Sequence, residues 1–126
     1  MNETTTTYDK SWASNRFFYG ILIFLALHFY LSINTDLAEF TQHKDINIPT
    51  WYFYIVLVVD ALVLLSLVLI AMWKKIGVYA FPIFMVAHFL IHNYFLSTFL
   101  YSDVSVLFFF VGLGLLAIIP RWNTFK

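Results

Sequence analysis

The residues that could do chemistry inside the apolar stretches of this chain are His28, Asp60, His88 and His92. In "VAHFLIHNYF" the two histidines stand four residues apart, so on a helix they share one face. Facing a carboxylate such as Asp60, that imidazole pair suits three kinds of chemistry. It could be part of a proton relay. It could hold a metal ion, with Asp60 or His28 completing the ligand set. It could also serve a b-type haem, with His28 facing His88 or His92 as the second axial imidazole. No glutamate follows His88, so the hydrolytic zinc pattern H-E-x-x-H is missing. The plainer alternative is that three histidines and an aspartate bond to one another and fix helix register, at about 0.6 kcal/mol per bond in a membrane. The residues alone leave haem, metal, proton and packing open.

Composition says what must position these groups. The 126 residues are 62% hydrophobic and 11% charged. A soluble domain carries about 25% charged residues, so the expected solvent is a lipid bilayer. A net charge of zero gives no basic footprint for nucleic acid. With no cysteine in the chain, disulfides, thiolate catalysis and cysteine-ligated metals are excluded. There is no glycine-rich phosphate loop and no G-x-S-x-G elbow. An enzyme here would have to act on lipid or quinone within the membrane, and a non-enzymatic protein is the simpler expectation.

Four apolar runs approach the roughly 20 residues needed to cross about 30 Å of hydrocarbon. They cover residues 17–33, 51–72, 78–99 and 104–119. The expected fold is therefore all-α, an up-down-up-down four-helix bundle within a single transmembrane domain. Residues 1–10 read as a disordered tail. Residues 34–50 read as a polar connector holding Asp36, Glu39, His43, Lys44 and Asp45, with Asp36 capping a short interfacial helix. Residues 73–77 read as a turn in which Gly77 takes the left-handed conformation that ends the second span. Ser102 or Asp103 reads as an N-cap of the fourth span. Pro82 falls far enough into the third span to kink it. From the cytoplasmic edge, a rise of 1.5 Å per residue puts His28, Asp60 and His88 about 15–18 Å deep, at one level near the midplane.

Lys10, Arg16, Lys74, Lys75, Arg121 and Lys126 fall on one side of this arrangement and Lys44 on the other. The excess of basic residues marks the cytoplasmic side, which places both termini there. The fourth span has no ionisable residue. Gly112, Gly114 and Ala117 give it a small-residue patch on which another membrane chain, or a second copy, could dock.

The segment "AMWKKIGVYAF", residues 71–81, resembles the turn between the second and third spans of small four-helix bacterial membrane proteins. The resemblance implies a multi-pass inner-membrane protein and assigns no activity. With the short loops, it points to an accessory subunit or ligand-binding module of a larger membrane complex.

Overall fold

The computed structural model describes residues 11–13, 15–45, 47–97 and 101–126. The regular structure among the described residues is all helical, with no strand, and four helices are long and apolar enough to cross a membrane. Helix α1 is Arg16–Thr41, α2 is Thr50–Ala71 and α3 is Lys75–Leu96. The fourth span, Tyr101–Thr124, is compound. It runs from α4 (Tyr101–Phe109) through a π turn (Phe110–Gly114) and α5 (Leu115–Ile118) into a 3₁₀ turn (Ile119–Thr124). The expected tail over residues 1–10 lies outside the described residues.

Several sequence expectations change. Helix α1 does not stop at residue 33 but continues to Thr41, about 39 Å at 1.5 Å per residue. The reason is that its buried face continues past the apolar run. Phe18, Leu22, Leu25, Phe29, Ser32 and Asp36 recur every three or four residues and are all buried. Asp36 is therefore not the cap of an interfacial helix. Gly77 ends no helix either: no glycine has a positive φ, and Trp73 takes φ 63° in its place. What Gly77 supplies is close approach. A Cβ there would lie 2.7 Å from the Ser66 carbonyl oxygen and 2.8 Å from the Ile70 nitrogen, so only glycine lets α3 sit this close to α2. Asp103 lies inside α4 with its side chain turned into the bundle, and it does not cap the helix.

A left-handed tryptophan is uncommon, because Cβ crowds the following carbonyl at about 1–2 kcal/mol. Its surroundings hold it there. The indole stacks on Phe18 with centroids 4.6 Å apart, and its Nε1–H donates to Tyr19 Oη at 3.0 Å. The Trp73 carbonyl accepts the Lys126 amide at 2.9 Å, and the Lys75 amide donates to the Lys126 carbonyl at 3.1 Å. Nearby, the buried Arg121 donates from Nε to Asn15 Oδ1 at 2.9 Å and from Nη1 to the Ala117 carbonyl at 2.8 Å. The start of α1, the short turn after α2 and the end of the chain are thus tied together.

The outer surface is apolar, with Leu27, Tyr30, Val58, Ile83, Phe108 and Leu116 exposed. The small residues of the fourth span do not form one patch. Ala117 is buried in the core, a Cβ on Gly114 would lie 3.1 Å from the Phe110 ring, and Gly112 faces open space. Gly112 and Gly114 are two residues apart, about 200° around a helix at 100° per residue, so they face nearly opposite sides of the span.

Candidate functional site

Inside the bundle two apolar clusters enclose a polar layer. One cluster contains Phe18, Leu25, Phe29, Val63, Phe81, Met85, Val106 and Phe110, and the other Tyr52, Phe53 and Val56. Along each helix the inward face passes from one apolar cluster into polar residues: Ser32, Asp36 and the partly exposed Glu39 in α1, Asp60 in α2, His88 and His92 in α3, and Asp103 in α4. The polar layer lies about 17 Å along α2 from Ala71 and about 20 Å along α3 from Lys75.

His88 is the hub. Its ring is buried, and both nitrogens are engaged. Nδ1 stands 2.5 Å from Asp103 Oδ2. Nε2 stands 2.7 Å from Asp36 Oδ2 and 3.1 Å from Asp60 Oδ1. Each of the four spans therefore contributes one ionisable side chain to a single point, and all four groups are at most 3% exposed. Asp103 is braced from behind. Ser32 Oγ donates to its Oδ1 at 2.6 Å, and Ser102 Oγ lies 2.5 Å from Ser32 Oγ. With the Ser32 proton committed to Asp103, Ser102 donates to Ser32. This bracing directs the Asp103 carboxylate at Nδ1 and fixes which imidazole nitrogen faces Asp36 and Asp60.

One turn further along, His92 Nε2 meets Glu39 Oε1 at 3.1 Å and Oε2 at 3.3 Å. His92 is fully buried, while the Glu39 side chain is 22% exposed. The rings of His88 and His92 stack at 6.4 Å, so the two polar groups adjoin.

The charges do not balance within the layer. Three carboxyl groups surround one imidazole, and an imidazolium would offset one of them. Asp36 Oδ1 and both oxygens of Asp60 are buried without any hydrogen-bond partner. The 3.1 Å contact from Asp60 to Nε2 is close, but off the direction a hydrogen bond requires. Leaving such groups without a partner costs about 1–3 kcal/mol each, and more when they are charged. Additional cations, whether protons or a metal ion, would satisfy them.

Asp60, His88 and His92 all lie in this layer, as the sequence suggests. His28 does not reach it. The ring is half-buried between Phe24 and Phe109, with centroids 5.8 and 5.3 Å away, and faces neither His88 nor His92. The pairing of imidazoles across helices that a haem would need is therefore not formed by His28. Asp36, Glu39, Asp103 and Ser32 belong to the site although their sequence positions suggest a connector, a cap or no role. The signal for Asp36 and Glu39 was their spacing from Phe29 and Ser32, which continues the inward face of α1. No known protein family, curated protein or solved structure matches the chain.

Proposed function

We propose that this chain is a non-enzymatic module of the bacterial inner membrane that binds a cation within its bundle, as a subunit of a larger membrane assembly. The path is up-down-up-down, with both termini in the cytoplasm. Supporting that path, Arg16, Lys74, Lys75, Arg121 and Lys126 gather at the end where Asn15 meets Arg121 and Trp73 meets Lys126.

The observation that carries the binding reading is the surplus of carboxylate oxygen around His88. A cluster that only locked helix register would match each buried acceptor with a donor. Here three carboxylate oxygens have none. They belong to Asp36 and Asp60, the two groups that converge on Nε2. The smallest cation such a centre can take is a proton, and Asp103, His88 and Asp36 form a continuous hydrogen-bonded path for one.

The test is unfolding of the purified chain in lipid nanodiscs, measured across pH and with divalent cations. The titratable groups of the cluster around His88 are Asp36 and Glu39 on α1, Tyr52 and Asp60 on α2, His92 on α3 and Asp103 on α4, with Glu39 meeting His92 and the buried Tyr52 hydroxyl without a hydrogen-bond partner. Stability should respond to protons or to metal ions, and Asp60→Asn should flatten that response. A parent chain indifferent to both would contradict the proposal. Purification in mild detergent tests the assembly: a co-purifying membrane chain is expected, and a strictly monomeric particle counts against it.

A further inference from the structure

Resting on the cation-binding reading, we infer that the cluster is a two-ion, carboxylate-bridged centre for divalent transition metals. One ion would lie between Asp36, Asp60 and His88, the other between Asp36, Glu39 and His92. In each trio the candidate ligand atoms lie within 4.8 Å of one another, and Asp36 belongs to both.

Four features carry the inference. The first is directional. A proton on His88 Nε2 is donated along one N–H axis, towards Asp36, and leaves Asp60 unserved. A metal ion draws all three ligands at once, and both Asp60 oxygens are buried and without a partner. The second is the bridge. Asp36 Oδ2 faces His88, while its Oδ1 is buried with no hydrogen-bond partner, as a carboxylate shared by two ions requires. The third is the orienting carboxylate. Metal-bound histidines almost always donate their other ring N–H to a carboxylate, carbonyl or water, which fixes the tautomer. Asp103 fills that position at 2.5 Å and is itself held by Ser32. The fourth is charge. Asp36, Glu39, Asp60 and Asp103 together carry four negative charges, which two divalent ions neutralise with both histidines uncharged.

At His88 the fit needs little movement. Ligand atoms about 2.1 Å from a tetrahedral ion stand about 3.4 Å apart. The present separations at Nε2 are 2.7 and 3.1 Å, so small side-chain rotations suffice. Imidazole with carboxylate favours manganese, iron, cobalt or zinc over calcium and magnesium. Three protein ligands per ion leave further positions for water. Glu39, the partly exposed member of the cluster, offers the entry.

The probe is Co(II), added to tag-free, chelator-stripped protein in nanodiscs. Bound metal is counted by elemental analysis and followed by visible ligand-field bands. The expected stoichiometry is about two ions per chain. Glu39→Gln should lose the outer ion and keep the inner one, giving about one. Asp36→Asn alters the ligand common to both ions and should weaken both sites by more than the roughly 10–100-fold that follows loss of a ligand's hydrogen-bond partner. Asp103→Asn should shift the bands and weaken the inner ion about 10–100-fold while helicity is retained. Should Asp36→Asn fail to fold, the Glu39→Gln stoichiometry decides. The inference is overturned if the parent chain takes up no Co(II), or if Glu39→Gln binds as the parent does. With no metal bound, a pH response abolished by Asp60→Asn would leave the broader cation reading standing. Absence of that response as well would remove both.

Discussion

Replacing Asp60 with asparagine has a sign that depends on whether the centre holds a metal. Asp60 is 3% exposed, and neither carboxylate oxygen has a hydrogen-bond partner. Asparagine keeps the shape, removes the charge and adds an N–H₂ donor beside Asp36. A charged aspartate at the centre of a membrane helix costs about 2.5–3.5 kcal/mol. An unpaired buried polar group costs about 1–3 kcal/mol. In chelator, Asp60→Asn should therefore stabilise the chain by about 1–3 kcal/mol. With saturating Co(II) the order should reverse, because the parent gains binding free energy that the variant lacks. The assay is unfolding in mixed micelles against added denaturing detergent, run with chelator and with Co(II). If the substitution destabilises the metal-free chain by more than about 1 kcal/mol, Asp60 is a structural partner. The surplus of carboxylate oxygen around His88 would then not mark a binding site.

Ser32→Ala removes the donor to Asp103 Oδ1 at 2.6 Å. It should cost about 1.5–3 kcal/mol in the same unfolding assay, the range for a hydrogen bond to a charged group. Gly77→Ala places a Cβ 2.7 Å from the Ser66 carbonyl and forces α3 off α2. Overpacking of this kind should destabilise by about 1–3 kcal/mol while cation binding is retained in the molecules that fold. His28→Phe should leave Co(II) stoichiometry unchanged, since His28 packs between Phe24 and Phe109 and away from the cluster.

The spans were legible in the sequence because runs of leucine, valine and phenylalanine need no tertiary knowledge to locate. The site was legible only in part. Asp60 and His88 stand out because each interrupts an apolar run. Asp36 and Glu39 sit where hydropathy ends a helix, and a charge there resembles a loop. Their spacing from Phe29 and Ser32 carries the contrary message, and it outweighs hydropathy because the partner imidazoles lie across the bundle. Asp103, at the start of a span, has the chemistry of a cap, and nothing local shows that its side chain turns inward. His28 misled by depth. It lies eight residues, about 12 Å, before Asp36 on α1, and at 100° per residue it points about 70° from the mean direction of the buried residues of α1. Gly77 has the chemistry of a helix stop, yet its missing Cβ serves helix contact, which only the packed pair reveals.

The central claim is that carboxyl groups from three spans converge on the His88 imidazole. Nitrogen-15 NMR of histidine-labelled chain in lipid bilayers tests it most directly. The expected spectrum has a His88 signal with a strongly hydrogen-bonded Nδ1–H that Asp103→Asn disrupts, and an Nε2 signal that shifts with Asp36→Asn, Asp60→Asn and added metal. A His88 ring that resembles a free imidazole, and is unmoved by all three substitutions, would contradict it.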